Sequence, residues 1–314
     1  MEEKLLPKVS VATVGDEEVN QRVDNYLFKM LKGVPRTRIY KAIRSGEVRV
    51  NGSRVKVSHR LSREDRIRIP PVRVSGNPRE ITLPQDWLDR IPVLFEDSHL
   101  LVVDKPSGLA VHGGTGMPFG LIEGLRHLRP ELTRLELVHR LDRETSGCLM
   151  LAKDRVSLLH LQDQLGEKRS ILKRYLGLVK GAWAGTWQVI DLKLDRVRAA
   201  GREKRMGASE NGKEARSIVW PVRRFREATQ VEVELLTGRT HQVRVHCAES
   251  GYPIAGDRMY GDRAFNATMG KLGLKRLFLH AHRLTLVHPG THKALTVEAP
   301  LPPPLLRVLD TLSP

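Results

Sequence analysis

The chain has 314 residues, of which 53 are lysine or arginine and 36 are aspartate or glutamate, so its formal net charge is +17. This length predicts about two domains, and the positive charge suits a polyanionic partner, either a nucleic acid or an anionic membrane surface. Two cysteines without Cys-x-x-Cys spacing exclude a disulfide framework and a cysteine-rich zinc site, and the lack of an apolar run of about 18 residues excludes a membrane span.

Residues 1–18 are predicted to form an N-terminal extension. The stretch is acidic at its start and is interrupted by Pro7, which is unlike a signal peptide. Together with the lack of a long apolar run, this pattern indicates a cytoplasmic protein.

A strongly basic segment follows, because residues 19–73 contain 15 lysines or arginines against 4 aspartates or glutamates. Its sequence VDNYLFKMLKG predicts a helix that ends at Gly33. The apolar face of that helix is expected to be Val23, Leu27, Met30 and Leu31. A second helix is predicted to end at Gly46, with Ile39 and Ile43 turned inward.

Strands are predicted after these helices. Asn51-Gly52 is a strong hairpin signal within the alternating stretch EVRVNGSRVKV, and DRIRIP predicts a further strand. Two small helices with a ribbon of strands resemble the S4 domain, a small RNA-binding module, over about residues 21–70. One basic face could follow RNA phosphates, with a solvated charged surface as the alternative. Its residues are Arg36, Arg38, Lys41 and Arg44 on or beside the second helix, joined by Arg49, Arg54 and Lys56.

A linker is predicted over residues 74–91, where proline, glycine and polar residues mix without periodicity. The remainder, residues 92–314, alternates short apolar runs with segments such as RVSLLHLQDQLGEK, whose leucines recur at helical spacing. Strands outnumber helices there, and the connections are short. We therefore predict an α+β fold: a mixed, largely antiparallel sheet with helices on its faces, preceded by the small α+β S4-like domain.

The stretch HRLDRETSG, His139–Gly147, is the first candidate for chemistry. Apolar runs flank it, so Asp142 is predicted to lie in a loop between two strands, where catalytic side chains are often held. Arg140 and Arg143 favour the ionised carboxylate that a nucleophile or general base requires, and the hydroxyl pair that follows can fix its orientation. An aspartate beside two arginines is more often a structural ion pair, so the spacing alone leaves both roles open.

The stretch TGRTHQVRVH is the second candidate, and it predicts a helix over about residues 241–250 with Thr240 as its N-cap. Arg239 and Arg244 then lie near the start of that helix. They could hold a phosphate there, or one of them could pair bidentately with a buried carboxylate such as Asp142. Surface arginines beside a capping threonine are the alternative.

Three weaker signals remain. Tyr175 alternates with apolar residues in KRYLGLVKG, which is typical of a core tyrosine but also suits stacking on a base taken out of a helix. The glycine-rich DKPSGLAVHGGTG lacks Gly-Lys-Ser/Thr, so it indicates a turn or a loop against RNA rather than a nucleotide-phosphate site. We predict no metal and no dinucleotide cofactor, because no carboxylate completes a ligand pattern around His280, His282, His288 and His292.

Together, HRLDRETSG, KRYLGLVKG, TGRTHQVRVH and RLFLHAHRL resemble the RluA-type pseudouridine synthases, in the order in which that family has them. With the S4-like domain, the chain looks closest to the RluC type, which modifies uridines of large-subunit (23S) ribosomal RNA. The resemblance implies that Asp142 is the catalytic aspartate and that Arg244 pairs with it. It also implies that Arg140 helps to extrude the uridine or fills its place in the stack, that Tyr175 stacks on the uracil ring and that Leu279 packs on the base.

The implied reaction breaks the glycosidic carbon–nitrogen bond and rejoins uracil to the sugar through ring carbon five, so we expect no cofactor. The implied partner is RNA, without DNA or a membrane, and the enzyme is expected to act as a monomer. A synthase acting on other ribosomal or transfer RNA sites and a non-catalytic ribosome-assembly factor are the alternatives. A glycosidase carries less weight, because such enzymes generally use two acids and Glu144 lies only two residues from Asp142.

Overall fold

The computed structural model describes residues 9–31, 33–72, 85–113, 119–132, 134–166, 170–198 and 204–313. The chain divides into two compact units, Met1–Thr82 and Leu83–Pro314. Most of the predicted linker, residues 74–84, and the first eight residues of the predicted extension lie outside the described part of the chain. In that described part, no helix is both long enough and apolar enough to cross a bilayer.

The strands, in chain order, are β1 (Ser10–Thr13), β2 (Arg49–Val50), β3 (Arg66–Ile69), β4 (Val93–Glu96), β5 (Leu100–Lys105), β6 (Glu136–Leu137), β7 (Ser146–Ala152), β8 (Leu172–Lys180), β9 (Gln188–Arg198), β10 (Lys204–Ala208), β11 (Lys213–Arg224), β12 (Ala228–Leu235), β13 (Leu279–Val287) and β14 (Ala294–Glu298). The α-helices are α1 (Val23–Met30), α2 (Arg36–Ser45), α3 (Leu121–Leu128), α4 (Arg155–Leu165), α5 (Gln242–Glu249), α6 (Arg263–Lys271) and α7 (Pro303–Thr311). Short 3-10 helices span Asp16–Glu18 and Gln85–Arg90.

The first unit packs α1 and α2 on a small sheet of order β1-β3-β2. The predicted helices are confirmed, and α2 ends as expected at Gly46, which adopts the left-handed conformation with φ 77°. One predicted core residue is wrong: Met30 is 53% exposed, because α1 ends there and the chain turns. The predicted N-terminal extension also needs correction, since β1 belongs to this sheet and Val14 is buried in the core of the unit.

The predicted hairpin around Asn51-Gly52 is half right. The turn forms, with both residues at positive φ, but a single bridge between Val50 and Ser53 closes it and no second strand follows. Instead β2 pairs with β3. Asn51 makes this pairing favourable, because its side chain donates to the Asp65 carboxylate and accepts from a backbone N–H of β3.

The second unit is built on one large sheet. The described strands follow the order β10-β9-β11-β12-β8-β13-β7-β5-β4, with β14 beside β13 and β6 beside β7. The described pairings are antiparallel except for the parallel contact of β13 with β7. This arrangement confirms the predicted mixed, largely antiparallel sheet with helices on its faces.

Both faces of this sheet are covered by other parts of the unit. This explains why the β7 sequence SGCLMLA is apolar after its first residue. Its alternating side chains enter two different cores. Leu149 and Leu151 belong to the same apolar cluster as residues of α3, whereas Cys148 and Met150 belong to a cluster with residues of α4. β7 is therefore held rigidly from both sides, as is the loop that leads into it.

The end of the predicted linker is also corrected by the structure. Gln85–Arg90 forms a 3-10 helix, and Trp87 within it is only 8% exposed. Its indole belongs to the same apolar cluster as Leu121 and Leu125 of α3. Polar neighbours in the sequence give no signal that this tryptophan is buried. Burial of a large apolar side chain stabilises the fold by about 2 kcal/mol or more.

Candidate active site

Asp142 lies in the loop between β6 and β7, as predicted, and lines a cavity of about 340 Å³. The cavity is bounded by this loop, by β8 and β13, and by the start of α5. Its lining residues are His139, Arg140, Leu141, Asp142, Thr145, Leu165, Lys173, Tyr175, Leu235, Gly238, Arg239, Thr240, His241, Gln242, Val243, Arg244 and Leu279. The structure therefore brings together every residue of the second domain that the sequence marks as a site candidate.

A buried lysine anchors the loop that carries Asp142. The Lys105 ammonium donates to the carbonyls of Pro106, Leu109 and Arg143 at 2.8, 2.8 and 3.1 Å. Gly108 adds a backbone bond to the same Arg143 carbonyl. Burial lowers the pKa of Lys105 to about 7. The described part of the glycine-rich DKPSGLAVHGGTG thus supports the neighbouring loop, and its last three residues, 114–116, lie outside the described chain.

Gly147 lets the loop enter the sheet beside β13. Its φ is +111°, and any side chain there would collide with the backbone carbonyl of Ala281. The preceding Ser146 hydroxyl contacts His280 Nδ1 at 2.8 Å and accepts a bond from Arg276 at 2.7 Å. The glycine therefore permits the close approach of β7 and β13, and the serine bonds to residues from the C-terminal part of the chain rather than to Asp142.

The four histidines that raise the question of a metal are engaged in other contacts. His280 Nε2 contacts the Ala299 carbonyl, and His282 lies 2.7 Å from the carboxylate of Glu232. His288 Nε2 lies 2.8 Å from the Asp97 carboxylate, and the rings of His292 and His160 meet edge to face. Within the described ranges, no group of three or more histidine, cysteine, aspartate or glutamate side chains is arranged to hold a metal.

Arg244 contacts two carboxylates: it binds Asp257 and lies within ion-pair distance of Asp142, its predicted partner. Its Nε and Nη2 donate to Asp257 at 2.7 and 2.8 Å, whereas its Nη1 lies 3.9 Å from Asp142 Oδ2. Burial disfavours the charged form of Asp257, but the guanidinium outweighs it and holds the pKa of this carboxyl below its usual value. The expected bidentate pair with Asp142 is thus replaced by one with Asp257, which fixes Arg244 and leaves one N–H facing Asp142.

The N-terminus of α5 also differs from the prediction. Thr240 is not the N-cap; His241 is, and it adopts the left-handed conformation with φ 56°. The buried Gln242 side chain holds this turn, because its Oε1 accepts bonds from the Thr237 hydroxyl and from the Arg239 backbone N–H. The glutamine amide therefore holds the turn before the helix, which no side chain caps, and this turn directs the imidazole into the cavity.

His241 and Tyr260 are site residues that sequence reasoning missed. The imidazole Nδ1 lies 2.9 Å from the Tyr260 hydroxyl, and its Nε2 lies 4.0 Å from Asp142 Oδ1. His241 has a signal, since it stands between the predicted Arg239 and Arg244. Tyr260 and Asp257 have none, because they come from a turn of the chain without any periodic pattern.

Tyr175 and Leu279 form the apolar wall of the cavity. Both belong to the main apolar cluster of the second unit, and they are 6% and 2% exposed. Burial, followed by the nearby charge of Asp142, raises the pKa of the Tyr175 hydroxyl, so the tyrosine stays neutral. A flat ring and a leucine beside one carboxylate suit a planar base.

Cationic side chains surround the mouth of the cavity. Arg140 and Arg239 are exposed, and Arg239 donates to the backbone carbonyl of Glu214. Lys173 also lines the cavity, and burial lowers its pKa. These charges surround Asp142 and suit an anionic ligand.

The basic face of the first unit keeps three of its four predicted helix residues free for a ligand. Arg36, Lys41 and Arg44 are exposed, whereas the Arg38 guanidinium forms an ion pair with Glu47 at 2.6 Å. Together, these three exposed residues form the helix-2 face: Arg36, Lys41 and Arg44.

Family comparisons agree with the two units. Residues 99–249 match the family described as RNA pseudouridylate synthase, and residues 21–67 match the S4 domain. The chain is 45% identical to the ribosomal large subunit pseudouridine synthase C of Pasteurella multocida, covering 97% of this chain and 94% of that protein. Identity to the protein of the same name from Escherichia coli is also 45%, with 98% and 97% covered.

Solved structures give the same result for the second unit. Human RNA pseudouridylate synthase domain containing 1 superposes with a TM-score of 0.59 at 25% identity, covering 74% of this chain and 91% of that one. Human RNA pseudouridylate synthase domain containing 4 superposes with a TM-score of 0.56 at 26% identity, covering 70% and 92%. The resemblance therefore extends from motifs to the arrangement of the sheet.

Proposed function

Because the chain belongs to the RNA pseudouridylate synthase family and is an RNA pseudouridine synthase with an S4 domain, we propose that it isomerises uridines of large-subunit (23S) ribosomal RNA with Asp142 as its one catalytic aspartate. The relatives named for the ribosomal large subunit match nearly the whole chain, including the S4 domain. That full-length match favours a ribosomal over a transfer RNA target.

One observation carries the role of Asp142: it is the only carboxylate among the residues that line the described cavity. Glu144 does not line this cavity; it lies 3.7 Å from Arg143. A glycosidase generally places two acids across the bond that it cleaves, and no second acid stands opposite Asp142 here. A single carboxylate suits an isomerisation that returns the base to the same sugar.

The reaction requires little more from the protein than one ionised carboxylate. The glycosidic carbon–nitrogen bond breaks, the uracil rotates, and a carbon–carbon bond forms at ring carbon five. That carbon loses its proton to solvent, and the released ring nitrogen gains one, so the product is an isomer of uridine. Asp142 serves as the nucleophile, at the anomeric carbon or at the ring, or as the base that removes a sugar proton; each role needs the charged form. Arg244 Nη1 lies 3.9 Å from this carboxylate, at ion-pair distance.

The cavity supports a flipped uridine as the substrate. Its volume of about 340 Å³ lies at the lower end of small-molecule sites and suits one nucleoside rather than a duplex. Extrusion costs a few kcal/mol of unstacking, which stacking on Tyr175 and contact with Leu279 can offset. Arg140, exposed on the same loop as Asp142, is placed to fill the position that the base leaves.

Pseudouridine mapping on ribosomal RNA tests the proposal in cells. A strain that lacks the gene is complemented with the wild type, with Asp142→Asn or with Glu144→Gln. We expect sites that vanish in the deletion to return with the wild type and with Glu144→Gln, and to stay absent with Asp142→Asn. Glu144→Gln is the matched control, because it makes the same acid-to-amide change in the same loop outside the cavity.

Two results would contradict the proposal. Restoration by Asp142→Asn would remove the aspartate from the mechanism. Persistence of every ribosomal site in the deletion strain would move the target to another RNA, which the same mapping of transfer RNA would reveal. A role in ribosome assembly without catalysis would appear as a growth defect that Asp142→Asn rescues, while every ribosomal site persists in the deletion strain.

A further inference from the structure

The carboxylate of Asp142 faces two donors, one near each oxygen. Arg244 Nη1 lies 3.9 Å from Oδ2, and His241 Nε2 lies 4.0 Å from Oδ1. Each separation is about 1 Å longer than a hydrogen bond. In free enzymes such contacts are often long and shorten only when substrate binds.

The backbone holds His241 in an uncommon conformation. Its φ of 56° and ψ of 19° lie in the left-handed region, which costs a non-glycine residue about 1 kcal/mol or more. The strain is maintained by Gln242, which is 2% exposed and bonds to the Thr237 hydroxyl and the Arg239 N–H. A histidine kept in a strained position inside a functional cavity indicates a role for its side chain.

Tyr260 determines which imidazole nitrogen carries the proton. Its hydroxyl accepts the backbone N–H of Met206 at 3.1 Å and lies 2.9 Å from His241 Nδ1. With an acceptor position taken by Met206, the hydroxyl proton is free to point at Nδ1. Donation to Nδ1 leaves the proton of the neutral ring on Nε2, the nitrogen that faces Asp142.

We propose that His241 is a positioning residue for the reaction: its Nε2–H, set by Tyr260, closes on Oδ1 of Asp142 when the uridine is bound, while Arg244 closes on Oδ2. The two donors fix the plane of the carboxylate and leave its remaining lone pairs for the reacting atom. This inference rests on the proposed role of Asp142. It adds a second orienting group to the one that the sequence motif indicates.

The charge state of the ring agrees with this role. Burial lowers the pKa of His241, and the positive charges of Arg244 and Arg140 lower it further against the opposing charges of Asp142 and Asp257. The ring is therefore neutral near pH 7. The charged and titratable groups that face it or its tyrosine partner are Asp142, Arg244, Asp257, Arg140, Tyr260, Lys173 and Arg205.

Three variants separate positioning from folding and from RNA binding. His241→Asn keeps a residue that tolerates the left-handed conformation, but its amide is too short to reach Asp142. His241→Gln places an amide N–H near the position of Nε2 and cannot titrate. Tyr260→Phe keeps the ring that packs against His241 and Arg244 while removing the hydroxyl.

The experiment measures tritium release from uridine labelled at carbon five of transcribed 23S ribosomal RNA, under single-turnover conditions, together with RNA affinity by filter binding. We expect His241→Asn to slow release about 10- to 100-fold and His241→Gln and Tyr260→Phe to slow it about 3- to 10-fold, in keeping with a carboxylate misplaced by about 1 Å. RNA affinity is expected to stay within about twofold. Lost affinity at an unchanged rate would overturn the inference and make His241 an RNA contact.

A pH profile of the single-turnover rate gives a readout that a purely structural role would not change. When His241 is protonated, it forms an ion pair with Asp142, so the wild-type rate falls as the pH decreases. A bond donated to Nδ1 favours the neutral ring, so Tyr260→Phe raises the pKa of His241 and moves the acid limb to higher pH. His241→Gln lacks that limb, and an unchanged profile in both variants would overturn the inference.

The wild type and Asp142→Asn in the same assay distinguish a failure of the proposed function from a failure of the proposed role of His241. An inactive wild type on 23S RNA would count against the proposed target, and an active Asp142→Asn against the proposed aspartate. If both of these behave as proposed and His241→Asn matches the wild type in rate, the role of His241 alone is wrong. Melting temperatures confirm that each variant is folded.

Discussion

The helix-2 face of the S4 unit and the Asp142 cavity both use arginine, but they hold it in opposite ways. On the helix-2 face, the guanidinium of Arg36 lies 4.9 Å from the ring of Phe28, and Arg44 lies 5.9 Å from the ring of Tyr40. Both charges remain exposed. In the cavity, Arg244 is 8% exposed and held by two hydrogen bonds to Asp257.

This difference follows from what each arginine has to recognise. Phosphates along a strand are met by mobile, solvated charges, and each one contributes through counterion release rather than geometry. A carboxylate that reacts needs its neighbours fixed to a fraction of an ångström, which requires a buried, bidentate partner. We therefore expect changes on the helix-2 face to act gradually and changes in the cavity to act abruptly.

The largest effect is expected from Asp257→Asn. Loss of the charge leaves Arg244 buried without its ion-pair partner, which destabilises the second unit by about 3 to 5 kcal/mol. Without Asp257, the guanidinium also loses the two bonds that keep its Nη1 in front of Asp142 Oδ2, so the single-turnover rate falls about 100-fold. Thermal melting and tritium release measure the two effects.

Asp262→Asn is the matched control for Asp257→Asn. Asp262 is the N-cap of α6, and asparagine caps a helix about as well as aspartate. It pairs with Lys180 at the surface, where an ion pair is worth under about 1 kcal/mol. Equal losses of stability and rate in the two variants would show that the buried ion pair between Asp257 and Arg244 is not the cause.

A smaller effect is expected from removing the helix-2 face with Arg36→Gln, Lys41→Gln and Arg44→Gln together. Each lost phosphate contact reduces the slope of log affinity against log salt by about 0.7 to 0.9, so the slope should fall by about 2. The rate at saturating RNA should not change. RNA binding titrated at several salt concentrations measures the slope.

The control removes three equal charges from α6 and α7 of the second unit, by Arg263→Gln, Lys271→Gln and Arg307→Gln, all at exposed positions. It should leave the slope unchanged. If both triple variants lower the salt slope equally, the positive charge of the whole chain contributes to RNA binding without a discrete site. The helix-2 face would then not be a distinct binding surface.

The last prediction concerns pH and distinguishes the units by stability. Burial lowers the pKa of three histidines in the second unit, to about 3 for His139 and about 4 for His246 and His280. The unfolded chain binds protons to them near pH 6.5, so stability falls as the pH drops below that value. Hydrogen exchange should show the second unit losing protection first between pH 7 and pH 5.

His246→Phe sharpens this prediction, because neither ring nitrogen of His246 has a hydrogen-bond partner among the described residues. Replacing the ring by phenylalanine removes both the unpaired polar atoms and the titration, so the second unit should lose less stability on acidification. His59→Phe is the control, since His59 is partly exposed and is the single histidine of the first unit. A steeper loss of stability in His246→Phe would contradict the explanation.

The secondary structure could largely be predicted because its signals are local. The helical spacing of Ile39 and Ile43 located α2, and the apolar runs on either side of HRLDRETSG placed Asp142 in a loop. Errors occurred where a local signal competes with distant partners. Asn51-Gly52 formed its turn, but β3 supplied better pairing than the segment after the turn.

By itself, the sequence determined the two-part α+β organisation, the family motifs and the site candidates of the second domain, because periodicity and motif spacing are properties of neighbouring residues. The tertiary structure alone decided which charges meet. Arg244 could choose between Asp142 and Asp257 only once the start of α5 and the turn after it were in place, and His241 reached Asp142 only through the packing of Tyr260. Such choices depend on differences of about 1 Å in the distances between residues of separate segments, 2.7 Å to Asp257 against 3.9 Å to Asp142, which no local pattern encodes.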